Sequence, residues 1–112
     1  MIPDDWIAHH RDKDGELLGY LRPVGDRFEP VTLFGHPLAG PSDEYDAAAV
    51  LDSVGLSYLA ERWRLTLPDR VEPVAVQVVE VDPDTVRLKN VGHTGDRHFS
   101  LPVPTDRLQP EH

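Results

Sequence analysis

Hydrophobic and polar residues alternate in short runs along most of the chain, a pattern typical of antiparallel strands joined by tight turns. The first turn signal is Asp12-Lys13-Asp14-Gly15, which lies between two runs that carry apolar residues. An Asp-Gly pair in such a position favours a β-hairpin, so we expect strands near 5–11 and 16–22. Gly19, inside the second strand, indicates a β-bulge or a close approach of another backbone segment.

Further turn signals divide the rest of the chain into short elements. Pro23-Val24-Gly25-Asp26 predicts a turn, followed by a third strand near 28–34. Residues 35–41 contain two glycines and two prolines, so they are expected to form a loop. Later strands are predicted at 74–81, 86–89 and 98–103. Pro102 and Pro104 confine the last of these to a sheet edge, and residues 105–112 are expected to be a frayed tail.

A short helix is predicted near 42–54. Apolar residues recur there at helical spacing, which gives one narrow apolar stripe: Ala47, Val50, Leu51 and Val54. Ser42 or Asp43 can cap the N-terminus, and Gly55 suits the left-handed C-terminal position. The stripe is too narrow to stabilise the helix alone, so we expect it to lie on the sheet.

The segment that follows the helix fits two interpretations. Leu59, Trp63 and Leu65 fit strand alternation, whereas Tyr58 and Arg62 would also continue a helix. We expect a helix or turn up to about residue 60 and a strand from residue 61. The choice between helix and strand for residues 56–62 is left open.

A six-residue segment occurs in nearly the same form in both halves of the chain, as a near-repeat. The segments "DRFEPV" (26–31) and "DRVEPV" (69–74) match at five of six positions with an offset of 43, and Tyr20 and Trp63 share that offset. A residue before proline is pushed toward extended backbone angles, and proline cannot donate to a strand ladder. Both segments are therefore expected at the entry of a strand, with each proline among its first residues or on a sheet edge. Three explanations stay open: a duplicated β-hairpin, independent use of the same turn chemistry, or a binding motif used twice.

These elements predict a mainly β fold, at the margin of the α+β class. We expect five to seven antiparallel strands in a small barrel or sandwich, with one short helix. A chain of 112 residues is expected to form a single domain, 1–112.

Composition narrows the classes of partner. The formal net charge is −9, from 20 acidic and 11 basic residues, which disfavours phosphate backbones and anionic lipid. We therefore expect no nucleic-acid or membrane partner. The absence of cysteine rules out disulfides and thiolate ligands. The acidic N-terminus does not resemble a signal peptide, so a cytoplasmic location is expected, and the preference for arginine over lysine suggests a bacterial source.

Motifs for catalysis, metals and cofactors are weak. Among the histidines, His93 and His98 with Asp96 between them match no established ligand spacing. Asp12-x-Asp14-Gly15 lacks the remaining ligands of a calcium loop. The chain has no nucleotide-binding glycine motif and no G-x-S-x-G. We assign no catalytic residue, no metal site and no cofactor.

One binding surface is suggested by residue type. If the two hairpins pack side by side, aromatic and arginine side chains would converge, a combination favoured at interfaces. The candidate residues, together with the single histidine of the 35–41 loop, are Tyr20, Arg22, His36, Arg62 and Trp63. The alternative is that Trp63 and Phe28 belong to the core.

These observations predict a non-catalytic binding or interaction module that acts on a protein partner, with a basic partner favoured by the charge. The alternative is a small enzyme or small-ligand binder with its site in the mouth of a β-barrel. A homodimer that pairs through an exposed edge strand is compatible with either function.

Overall fold

The computed structural model describes residues 1–91 and 97–111 of the chain. Within them, the strands are β1 (Ile7–His10), β2 (Leu17–Val24), β3 (Arg27–Val31), β4 (Trp63–Leu65), β5 (Val74–Val81), β6 (Thr85–Asn90), β7 (His98–Pro102) and β8 (Leu108–Pro110). The α-helix α1 spans Glu44–Val54, and a 3-10 helix spans Ser57–Ala60. The segment that sequence reasoning left open thus becomes a single helical turn before β4.

The strands form two antiparallel sheets. The N-terminal sheet has the order β1-β2-β3, and the C-terminal sheet has the order β7-β6-β5-β4-β8. The fold is mainly β and sandwich-like, which confirms the predicted class, and the sheets formed by the described residues do not close into a barrel.

Each sheet has its own hydrophobic cluster. The N-terminal sheet packs Leu18 and Leu21 against Ala47 and Leu51 of α1, so the helix lies on the sheet as expected. The C-terminal sheet has a larger cluster of buried residues, made of Phe34, Tyr58, Trp63, Leu65, Val76, Val86, Leu88, Leu101, Val103 and Leu108. Leu56, between the two helices, packs against both clusters.

The helix begins and ends where its capping residues predict. The Asp43 side chain accepts a hydrogen bond of 2.7 Å from the Asp46 backbone N–H, which satisfies one of the free donors at the N-terminus. Gly55 follows the last helical residue at φ 61°, and its N–H donates to the Leu51 carbonyl. Of the two predicted caps, Asp43 is therefore the one used.

Gly19 is a point of close backbone approach, as its position in β2 predicts. A Cβ atom at this residue would collide with the carbonyl oxygen of Val31 and would lie 3.0 Å from Cδ2 of Leu51. The pairing of β1 with β2 also shifts register beside it, between His9 and His10. Glycine is therefore required here by space.

The near-repeat does not produce two equivalent hairpins. In the first, Tyr20 pairs with Val31 across a tight turn, so a duplication would place Trp63 opposite Val74. Trp63 instead pairs with Val76, a slip of two residues. Pro73 precedes β5 and Pro30 lies inside β3, which is an edge strand of its sheet, so both prolines occupy positions of the kind expected. The registers favour independent use of similar turn chemistry.

Two element boundaries differ from the expectation. β3 ends at Val31 rather than near residue 34, because a turn forms at once: the Gly35 N–H donates to the Thr32 carbonyl and the His36 N–H to Thr32 Oγ1, both at 3.0 Å. The expected frayed tail is also wrong for Leu108–Pro110, which forms β8 beside β4. Its single apolar residue, Leu108, is buried, and one such residue gives no alternation to detect.

Candidate functional site

Trp63 is part of the interior of the C-terminal sheet. Its side chain is 2% exposed, and its Nε1–H donates a 2.9 Å hydrogen bond to the Tyr58 carbonyl. The Phe34 ring meets it edge to face with centroids 4.9 Å apart. The apolar rings of Trp63 are packed and its indole N–H is hydrogen-bonded within the protein. Trp63 is therefore a core residue, the alternative that the sequence analysis gave for it.

His36 packs its ring against Trp63, with centroids 5.1 Å apart. Burial lowers the pKa of His36 below its usual value, and the nearby Glu29 carboxylate opposes this only in part. The imidazole is therefore neutral at pH 7. It lies on the wall of a cleft of about 610 Å³ that also reaches Ser57 and Glu61.

The hydroxyl of Tyr58 is not free for chemistry in that cleft. It donates to the Leu18 carbonyl at 2.9 Å and accepts from the Leu33 N–H at 3.0 Å, and desolvation raises the Tyr58 pKa far above its usual value. The cleft therefore offers the neutral imidazole of His36 and the exposed carboxylate of Glu61. Both groups can form hydrogen bonds with a polar ligand group.

Tyr20 and Arg22 belong to a different cluster, on β2. The Trp6 ring lies 6.1 Å from the Tyr20 ring, and the Arg22 guanidinium lies 6.0 Å from the Trp6 centroid. Arg22 also forms an ion pair with Glu29, its cross-strand partner on β3. Tyr20 is 6% exposed, so most of this aromatic surface faces inward.

The five candidate residues therefore do not form one exposed surface. Tyr20 and Arg22 lie on the N-terminal sheet, His36 and Trp63 lie where the C-terminal core meets the 32–37 turn, and Arg62 is exposed in the residues before β4. The convergence predicted from the sequence depended on the two hairpins packing side by side, and in the structure the second hairpin belongs to a different sheet from the first.

A surface that sequence reasoning missed lies on α1. Tyr45 of α1 is 82% exposed, and four exposed carboxylates lie on the same helix or at its N-cap: Asp43, Glu44, Asp46 and Asp52. We call these five residues the acidic helix surface. Tyr45 lies off the apolar stripe of the helix. An aromatic residue on the polar face of a predicted helix was therefore the signal available in the sequence.

The acidic helix surface is anchored to the N-terminal sheet at one end. His9 of β1 forms a hydrogen bond with Asp52, and the distance between His9 Nε2 and Asp52 Oδ1 is 2.8 Å. The opposite face of α1 is held by the buried Ala47 and Leu51. The helix thus presents its outward side chains from a fixed backbone.

Two further findings concern metal ligands and membrane-spanning helices in the part of the chain that the structure describes. There, no group of three or more histidine and carboxylate side chains is arranged to hold a metal ion. His93 and Asp96 of the weak histidine candidate lie outside the described residues. Neither helix in residues 1–91 and 97–111 has the length and apolar composition required to cross a bilayer.

Comparison with known proteins returns nothing that matches this chain: no protein-family model, no curated protein and no solved structure. The basis for a functional assignment is therefore the molecule's own surfaces, and the acidic helix surface is the most distinctive of them.

Proposed function

We propose that this protein is a non-catalytic interaction module that binds a basic protein partner through the acidic helix surface. The observation that carries the proposal is the exposure of Tyr45 among four carboxylates on a rigidly held helix. Sequence reasoning favoured a basic partner on net charge alone, and the exposed groups of the acidic helix surface support that proposal.

Tyr45 supplies the apolar part of such an interface. Tyrosine is enriched among the few residues that dominate binding energy, because its ring buries a large area and its hydroxyl can still hydrogen-bond. The residue one turn along the helix is the small Ala49, which is also exposed. A partner side chain can therefore reach the tyrosine ring without displacing a neighbour.

The surrounding carboxylates supply selectivity and a fast encounter. Opposite charges across an interface raise association rates and exclude partners of the wrong sign. The acidic field of the whole molecule, at −9, acts in the same direction. Binding should therefore weaken as salt is added, because exposed charge pairs are screened.

The bacterial cytoplasm is the location we propose for this interaction, on the sequence arguments of cysteine content and arginine usage. Pairing of two copies through an edge strand stays a prediction compatible with it. One edge, β3, is bridged to residues 37 and 42. The other edge of that sheet, β1, has three exposed residues out of four, and sedimentation velocity would detect a dimer.

The proposal is tested by site-specific photo-cross-linking in the source cells. A photoreactive phenylalanine analogue replaces Tyr45 in one version of the protein and Val71 in another. Val71 is fully exposed in the loop between β4 and β5, so it samples general collisions. We expect one basic protein to be captured from position 45 and not from position 71.

The captured partner then permits a direct measurement. The purified pair should bind with an affinity that falls as salt rises, and Tyr45→Ala should weaken binding by about tenfold or more. Equal capture from both positions, or a captured protein that is acidic and insensitive to salt, would contradict the proposed function.

A further inference from the structure

A small cavity lies between the N-terminal sheet and the turn that joins β5 to β6. Its volume is about 170 Å³, and its walls are largely apolar side chains: Leu17, Leu33, Val81 and Pro83. An apolar cavity of about 150 Å³ is large enough to hold a benzene-sized molecule. The space therefore suits an organic ligand with a ring or chain of about six carbons.

Tyr20 lines this cavity and brings an unpaired hydroxyl to it. The Tyr20 side chain is largely buried, with an exposed fraction of 6%. Desolvation raises the pKa of its hydroxyl. The hydroxyl makes no hydrogen bond to any residue that the structure describes. By contrast, Tyr58, the other buried tyrosine, has both a donor and an acceptor partner. The Tyr20 hydroxyl is not among the fully buried polar atoms that lack a partner, so it still reaches solvent, and a ligand atom in the cavity could take the place of water as its hydrogen-bond partner.

The remaining polar groups of the cavity wall are both carboxylates. Glu16 and Asp82 line it with Tyr20, and no cationic side chain of residues 1–91 or 97–111 does. Arg11, which lies close enough to Glu16 to feel its charge, is held by Asp14 through contacts of 3.0 and 3.2 Å. The wall is thus apolar with a negative rim, which complements an apolar body with a positive charge.

We propose that this cavity binds a small aliphatic or alicyclic ammonium ion. The hydrocarbon part contacts the leucine and valine walls, an ammonium N–H donates to the Tyr20 hydroxyl oxygen, and the charge faces Glu16 and Asp82. This site shares no residue with the acidic helix surface, so it stands or falls independently of the proposed partner binding.

Cyclohexylammonium is a suitable probe, with cyclohexanol and cyclohexanecarboxylate as neutral and anionic controls of the same shape. Each is titrated into ¹⁵N-labelled protein at neutral pH and constant ionic strength. The backbone amide signals of Leu33 and Val81 report on the cavity. For a probe of this size we expect dissociation constants of about a millimolar, with the cation tightest and the anion weakest.

Two variants test the roles of the polar groups. Tyr20→Phe removes the hydroxyl and should weaken cyclohexylammonium binding about tenfold, whereas the matched control Tyr45→Phe should leave it unchanged. Glu16→Gln alters an exposed residue. It should weaken the binding of cyclohexylammonium but not the binding of cyclohexanol. The site is overturned if cyclohexanol binds as tightly as cyclohexylammonium, if both variants bind like the wild type, or if no probe shifts the two amide signals.

Discussion

The hydroxyl of Tyr58 lies 2.9 Å from the carbonyl oxygen of Leu18, although the two residues are 40 positions apart in the chain. Tyr58 belongs to the core of the C-terminal sheet and Leu18 to the core of the N-terminal sheet. The same hydroxyl accepts from the Leu33 N–H at 3.0 Å. One buried side chain thus joins the two sheets by satisfying two backbone groups at once.

We expect Tyr58→Phe to lower the free energy of unfolding by about 1–3 kcal/mol, because it leaves a buried carbonyl and an N–H without partners. Tyr45→Phe, which removes the hydroxyl of an exposed tyrosine, should change it by less than about 0.5 kcal/mol. Urea denaturation measures both. Equal stability of the two variants would show that the Tyr58 hydroxyl does not couple the sheets.

Gly19→Ala should be strongly destabilising, because its Cβ would collide with the backbone carbonyl of Val31. We expect a loss of about 2 kcal/mol or more. Gly40→Ala is the matched control, since a Cβ at Gly40 meets nothing within 4 Å. If both alanine variants unfold at the same urea concentration, the close approach at Gly19 is not a constraint.

Acidification should reduce stability through His36. Burial places the pKa of His36 in the folded protein below its value in the unfolded chain, so the unfolded chain binds more protons as pH falls. The folded protein is therefore most favoured above about pH 6.5, where the imidazole is neutral in both states. Its free energy of unfolding falls as pH drops below that value. Urea midpoints between about pH 8 and about pH 5 should fall less steeply for His36→Gln. The same slope in both proteins would contradict this role for His36.

Most of the fold could be predicted from local patterns. Short-range preferences that the tertiary structure does not override explain three elements: the Asp14-Gly15 turn, the helix capped by Gly55 and the valine-rich strand β5. The assignment of strands to two sheets could not be predicted, because hydrophobic alternation says which face is buried but not which strand pairs with which. The near-repeat left a duplicated hairpin open as one explanation, and only the registers of the paired strands distinguish the two hairpins.

The candidate site was harder to predict for the same reason. Tyr20 and Trp63 were selected by residue type, and both are buried in the structure. Burial depends on contacts with residues that are distant in the chain, such as Phe34 for Trp63. Tyr45 was detectable by its position opposite the apolar stripe of the helix, but its neighbours looked like ordinary charges of a first helical turn.

Leu108 should contribute substantially to stability, in contrast to the frayed tail that the sequence suggested. Its side chain is 1% exposed in the core of the C-terminal sheet, and its backbone pairs with Leu65 at the outer edge of β4. Leu108→Ala removes buried methyl groups and leaves a cavity, so we expect the free energy of unfolding to fall by about 2–5 kcal/mol.

Val71→Ala is the control for this change, because Val71 is fully exposed and its truncation should alter stability by less than about 0.5 kcal/mol. Hydrogen exchange gives a second readout. Since β8 covers one edge of β4, Leu108→Ala should speed exchange of the Thr66 amide, which donates to the Arg107 carbonyl, by more than it speeds exchange in the N-terminal sheet. A Leu108→Ala protein as stable as Val71→Ala would mean that β8 is dispensable and that β4 is an edge strand in solution.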